Sequence, residues 1–394
     1  MYDLLIRDAT IVTSEGRQVA DVAVQDGRIR YVGPRPPRSR ARREISAIGK
    51  FLMPGVIDTA VGFDTSTPDA WLAETAAAVT GGVTTVLALP GANTRGPGGA
   101  AAAIEALAGK SWASFGLWGA ATTNDANALA TATEAGVFVG ALASVGSLAD
   151  DAVTLAALPA LLALPGTLGL KLDISDADHA TVRAVFECLR SGERPTHLLH
   201  VSTALELDLI DPLRGELAVT AGVTPHHLFL STEEIGTEAV AHPPIRPEHD
   251  RRTLWTAVKR GRLDCVASDH HSDRAAGLPG SELLFPLLLS AVKYGRLSLE
   301  LLVSLCAEAP ARVFGLPSKG RIERGADADL VLFSEGEISR VKRGTLHTPT
   351  GWSPYIDRES APKPELVVVA GEIVAQRGEL VGKGPTGTHV GSVA

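Results

Sequence analysis

The residues able to do chemistry in this chain gather near the ends of a few short apolar runs. "HLLHVST" carries His200, "LDCVASDHH" ends in Ser268, Asp269, His270 and His271, "VTPHHLFLS" holds His226 and His227, and "GLKLDIS" holds Lys171 and Asp173. Imidazoles and carboxylates are the ligands of zinc, and a catalytic zinc needs about three of them plus an open position. Such a centre lowers the pKa of bound water from about 15.7 to about 7. At about 1.36 kcal/mol per unit that is roughly 12 kcal/mol of nucleophile activation. "PGVIDTAVGFD", residues 54–64, is an apolar strand with the same texture, yet it delivers only Thr59, Ala60, Val61 and Gly62. None of these binds a metal or moves a proton.

Positioning such groups is the work of the surrounding elements. Eight apolar runs, "FLMPGVID", "GVTTVLAL", "ASFGLWGA", "GVFVGALA", "LGLKLDIS", "THLLHVS", "LAVTAGVT" and "RLDCVASD", alternate with Ala- and Leu-rich helical stretches. Continuous apolar strands between helices predict a parallel sheet covered on both faces. Spread over about 220 residues they fit an α/β fold, a (β/α)8 TIM-type barrel of roughly 250 residues. The first fifty residues alternate as short strands with turns at Glu15-Gly16 and Asp26-Gly27, and strand texture returns in "GRIERGADADLVLF" and "PELVVVAGEIVAQRGELV". The two chain ends are therefore expected to form one small discontinuous β-sandwich domain, residues 1–50 and 316–394, with the barrel inserted as residues 51–315. The Gly-rich tail "GKGPTGTHVGSVA" is expected to be loosely held.

Composition narrows the function. The 394 residues are 45% hydrophobic and carry a formal charge of −8, and the basic residues are massed only in "PRPPRSRARRE". Nucleic-acid binding needs an extended basic face, so it is not expected. Cys188, Cys265 and Cys306 form no CxxC pair and read as buried small hydrophobes in a reducing compartment. "MYDLLIRDATIV" lacks the marks of a signal peptide, and no apolar run approaches bilayer length. A cytoplasmic protein without membrane contact is expected.

In a barrel of this kind functional groups sit at the carboxyl ends of the strands. Strands six and eight alone end in good metal ligands, His200 and Asp269. Adjacent residues on a strand face opposite ways, so only one of His270 and His271 looks into the barrel mouth. The "PHH" pair reads as packing beneath a loop, and Lys171 as a buried or salt-bridged partner of Asp173. The loop "GANTRGPGG" lacks a P-loop Lys, and Asn93 and Arg95 are its groups suited to a small anion.

The motifs "PGVID", "GGVTTVLALP", "HLLHVST", "VTPHHLFLS", "PPIRPEHDRRTLW", "LDCVASDHH", "GSELLFPLLLSAVKYGRLSLE" and "KGRIERGADADLVLF" run in an order that resembles dihydroorotases of the amidohydrolase superfamily, close to hydantoinases and allantoinases. The resemblance implies hydrolysis or closure of a cyclic amide with one or two zinc ions. It implies a His-x-His pair after strand one, a carboxylated Lys or an Asp around strand four, a His each on strands five and six, and an Asp on strand eight. The His-x-His positions fall on Ala60 and Gly62, the substrate-binding Arg on Asp64, and the strand-four ligand on Gly140 or Ala141. Lys171 imitates a carboxylated lysine, but by strand count it stands at the strand-five His position. His200 matches the strand-six ligand and Asp269 the strand-eight ligand and general base, here vestigial. A downstream substrate-binding His falls on Asp273, and Asn93 matches the substrate-binding Asn of the strand-two loop.

The expected protein is thus a non-catalytic dihydroorotase-like homologue without a cofactor. The resemblance implies aspartate carbamoyltransferase of pyrimidine biosynthesis as its partner, and a homo-oligomer is also open. The competing reading is an active zinc amidohydrolase with a site rebuilt from His200, Asp269, His270 and His271, with His226 or His227 nearby. A third is a ligand sensor resting on Asn93 and Arg95.

Overall fold

The computed structural model describes residues 1–36, 40–121, 126–145, 156–163, 167–172, 179–192, 194–235 and 240–391. The chain opens with β1 (Tyr2–Thr13), β2 (Gly16–Gln25), β3 (Arg28–Gly33), β4 (Ala41–Ser46) and β5 (Phe51–Pro54). The barrel strands follow: β6 (Val56–Gly62), β7 (Val83–Ala88), β8 (Ser114–Ala120), β9 (Gly140–Val145), β10 (Leu168–Leu172), β11 (Thr196–Leu199), β12 (Val219–Val223), β13 (Cys265–Val266) and β14 (His270–His271). The chain closes with β15 (Leu330–Phe333), β16 (Ser339–Arg340), β17 (Glu359–Ser360), β18 (Leu366–Val369), β19 (Glu372–Gln376) and β20 (Glu379–Leu380).

Both chain ends build one nine-stranded mixed sheet, in the order β20-β19-β18-β15-β5-β1-β2-β3 with β4 beside β1. The ends meet where β5 pairs antiparallel with β15, Leu52 opposite Leu332 and Phe51 opposite Phe333, whose rings stack at 5.6 Å. Alternating residues such as Ile6, Ile11, Val22, Leu330 and Val368 form a second core on one face of this sheet. The run "FLMPGVID", expected as one barrel strand, is two strands in two sheets. Phe51–Pro54 belongs to the terminal sheet, and the barrel starts at Val56. An unbroken apolar run fits both sheets equally well, so hydropathy could not see the division.

The second sheet, β13-β12-β11-β10-β9-β8-β7-β6-β14, is parallel throughout. Its eighth strand is broken. Cys265–Val266 pairs with β12, while His270–His271 pairs with β6 and closes the ring. Strand alternation sorts the side chains. Val86, Leu117, Ala141, Leu170 and Leu198 join the large core that contains the covering helices. Ile57, Leu87, Trp118, Leu142 and Leu199 form a separate cluster inside the barrel, extended by Phe314 and Leu316. No helix among the described residues is long and apolar enough to cross a membrane.

Two stretches of the 316–394 segment leave the terminal sheet. Val341, Leu346 and Tyr355 pack with Leu230, Ile245 and Leu278 of the loops after β12 and β14. The described part of the tail, expected to be loose, is held: Phe115 donates its N–H to Thr388 O at 2.9 Å, Val390 returns one to Phe115 O at 2.7 Å, and Gly387 donates to Ser111 O at 2.9 Å. Gly387 serves close backbone contact, since a Cβ there would lie 1.9 Å from Ala113 O. Gly387→Ala is therefore expected to destabilise the fold by about 1–3 kcal/mol. Gly384→Ala, with nothing within 4 Å of the added Cβ, should be silent; urea melts of the two variants check the contrast.

Candidate active site

His200 follows β11 and Asp269 lies in the break of the eighth strand. Both are buried, and both take left-handed backbone, φ 57° and 49°. Such angles are uncommon outside glycine. They turn the two side chains together, with His200 Nδ1 3.4 Å from Asp269 Oδ1. His271 Nε2 approaches the same oxygen at 3.6 Å.

His271 also explains the opening glycine. A Cβ built on Gly62 would lie 2.5 Å from His271 Nδ1, so the imidazole of strand eight fills the volume in front of Gly62. On its other side the ring is closed in by Gly277, whose Cβ would meet His271 Cδ2 at 2.5 Å. Ala60 is fully buried in the barrel's apolar cluster. Trp118 dominates that cluster, donates its indole N–H to Thr59 O at 3.0 Å, and presses on strand four so closely that a Cβ on Gly140 would lie 3.0 Å from the ring. Ala141, the other strand-four candidate, packs toward the helices. The next inward residue on that strand is Leu142. Lys171 stands on the fifth barrel strand, paired with Ser144 and Leu199. Asp173 lies outside the described residues.

His270 faces the other way. Its Nδ1 accepts the N–H groups of Gly280 and Ser281 at 3.3 Å, its Nε2 lies 3.4 Å from the buried Glu74 Oε2, and its ring meets Phe63 edge-on. His226 stacks on Tyr355 with its Nδ1 2.8 Å from the phenol, and burial pushes its pKa down to about 3. His227 Nε2 lies 3.2 Å from the carbonyls of Pro243 and Pro244, so it donates, and Nδ1 accepts from Thr224 Oγ1 at 2.8 Å.

The remaining positions do local work. Asp64 accepts from the Ser66 and Thr67 hydroxyls at 2.6 and 2.7 Å, which hold its carboxyl below the ordinary range and fasten the turn into the helix Pro68–Thr80. Asp273 is exposed and accepts the Ala275 N–H. Asn93 is exposed, and its Oδ1 accepts the Thr65 hydroxyl at 2.7 Å, joining the loops after β6 and β7. Arg95 is exposed in the same loop. Sequence reasoning missed Glu74, Tyr355 and Trp118. Only Trp118 carried a signal, a large aromatic on a barrel strand beside Gly140 and Gly169 of the next two strands.

The donor set can be tested against zinc. Among the described residues no group of three or more His, Cys, Asp and Glu is placed to hold a metal ion. His200 and His271 both lie against one oxygen of Asp269 without forming such a group, and His226, His227 and His270 are committed elsewhere. The described residues do not fit a catalytic zinc.

A closed parallel barrel carrying a sheet made from both chain ends, with His and Asp at the ends of strands six and eight, is a barrel of the amidohydrolase type. The chain belongs to the amidohydrolase family, which it matches over residues 51–374. It is 29% identical to a dihydroorotase of Pyrococcus furiosus, covering 94% of this chain and 92% of that one. It is 28% identical to a D-hydantoinase of Ralstonia pickettii, covering 97% of each. An allantoinase of Rubrobacter xylanophilus is 30% identical, over 99% of this chain and 97% of that one. In fold it is similar to the L-hydantoinase of Arthrobacter aurescens, with a TM-score of 0.91 at 24% identity over 99% of this chain and 100% of that one.

Two outcomes follow from this geometry. Gly62→Ala forces a Cβ into the His271 ring and should cost about 1–3 kcal/mol, while the double variant Gly62→Ala, His271→Ala recovers part of the loss; urea melts give the coupling. His197, fully buried and 2.8 Å from Thr220 Oγ1, has its pKa pushed down by burial from 6.5 to about 3. The unfolded chain therefore takes a proton below 6.5 that the folded chain refuses until about 3. Its contribution is complete above that upper value and falls as pH drops, by about 1.36 kcal/mol per unit. Stability of His197→Gln should fall less steeply than that of the wild type between these limits, by about that slope.

Proposed function

We propose that this protein is a dihydroorotase-like amidohydrolase whose barrel no longer hydrolyses and serves as a structural subunit. The reading places it in the cytoplasm, in pyrimidine biosynthesis, with aspartate carbamoyltransferase as partner; that partner rests on resemblance alone. Self-assembly is compatible with the same role. The observation that carries the reading is the imidazole of His271 seated in front of Gly62. A position that the resemblance assigns to a metal ligand is filled and packed. Without a zinc shell the roughly 12 kcal/mol of water activation has no source.

Names of the relatives support the substrate class the barrel descends from: dihydroorotase, hydantoinase and allantoinase. The alternative, a zinc amidohydrolase with a rebuilt site, draws on one observation, the approach of His200 and His271 to the same oxygen of Asp269. Metal analysis of protein purified without chelator, with turnover assays on dihydroorotate, hydantoin and allantoin, separates the two. The expected result is zinc well below stoichiometry and no turnover; stoichiometric zinc with turnover establishes the alternative. The double substitution Ala60→His, Gly62→His should not restore hydrolysis, because His271 already occupies the space. Co-purification with the host's aspartate carbamoyltransferase tests the partner, and failure to associate removes it without restoring catalysis.

A further inference from the structure

A cleft of about 340 Å³ opens at the seam between the barrel and the terminal sheet. Its apolar part comes from Leu283 and Pro286 of the barrel and from Val341, Leu346, Ala361 and Pro362. Its charged part is Arg340, Lys342, Lys363 and Arg377 against a single carboxylate, Glu379. In a chain of formal charge −8 this is a local reversal of sign.

Two of the four cations are already engaged. Lys363 Nζ donates to the buried Glu282 at 2.5 Å, and Arg340 donates to Asp357 O at 2.6 Å. Glu379 is turned toward His347, 3.4 Å away. Among the described residues the side chains of Lys342 and Arg377 make no direct hydrogen bond or ion pair, although the Arg377 guanidinium helps hold the Glu365 carboxyl below its ordinary range.

Arg377 is held there against local preference. It and Gly378 form the two-residue loop between β19 and β20, with φ 51° and 81°. A loop with both residues at positive φ favours Asn-Gly, and a bulky residue in that region is strained. Of the seven non-glycine residues at positive φ among the described residues, five are Asp or His, the types that tolerate it; Arg377 is the one long side chain among them. The Lys363 stem lies on the same turn, with Cδ 2.7 Å from where a Gly378 Cβ would be. Backbone strain that projects a guanidinium into a cleft is the pattern of a functional position.

We propose that this cleft binds a compact organic polyanion, with Lys342 and Arg377 pairing with its carboxylate or phosphate groups and the apolar part holding its carbon body. A guanidinium in a fixed frame recognises both kinds of anion bidentately, and the volume is that of a small-molecule site. A bound ligand would bridge the barrel and the terminal sheet. The site is independent of whether the barrel hydrolyses.

Calorimetric titration of the full chain with pyrophosphate and with citrate tests it. Saturable binding of one identifies the phosphate or the carboxylate class, and binding of both identifies the shared polyanion chemistry. Arg377→Gly relieves the strained turn, so its melting temperature should hold or rise while affinity falls about tenfold or more; Lys342→Ala should also weaken binding. Absence of binding for both probes up to millimolar concentration, or affinity unchanged in both variants, overturns the proposal.

Discussion

Asp58 lies in the middle of the first barrel strand with its carboxylate fully buried, and its Oδ1 accepts the backbone N–H of Ser268 at 2.8 Å. That bond spans the break in the eighth strand, where the backbone ladder is lost between Val266 and His270. A side chain on strand one thus replaces a missing rung, and the ring of strands closes over it. Burial pushes the Asp58 carboxyl up, a cost that the Ser268 bond partly offsets. Everything at the barrel mouth depends on this repair. It sets the turn that throws Asp269 into left-handed backbone beside His200, and it fixes the register that seats His271 over Gly62 while His270 faces Glu74.

The same economy runs through the loops. Glu282, buried behind the mouth, accepts the N–H groups of His347 and Thr348 and the ammonium of Lys363. Burial opposes its ionisation, but these donors together hold its carboxyl below the ordinary range. The result pins the chain after the barrel against the loop that follows β14. Tyr355 lies fully buried in that chain and stacks on His226. Three imidazoles that read as candidate ligands, His226, His227 and His270, are each paired with a backbone group or an aromatic ring.

Much of this was legible from residue order. Apolar runs alternating with helices gave the barrel, and alternating strands at both ends gave the shared sheet, because each depends on local period alone. The split of "FLMPGVID" was not legible, since a run apolar on every residue carries no mark of which sheet it joins. Nor was the pairing of Gly62 with His271, which lie far apart in the chain and meet only through barrel closure. The tail misled for a similar reason: its glycines suggest freedom, but Gly387 is there because the backbone of Ala113 passes where a side chain would go. Candidate ligands could be counted from the sequence. Their commitments to Pro243, Gly280 or Tyr355 could not.

The antiparallel pairing of β5 with β15 has a consequence for the order of folding. Domains generally fold as units during synthesis, the N-terminal one first. Here β1 to β5 are made first, but their sheet gains its central neighbour only when residues beyond the barrel have emerged. The barrel in turn receives Val390 and the rest of the tail later still. Neither half is complete before the other, so the early strands must wait with an open edge while the barrel is made. The nascent chain is exposed during that interval, and it is there that a chaperone would have most to protect.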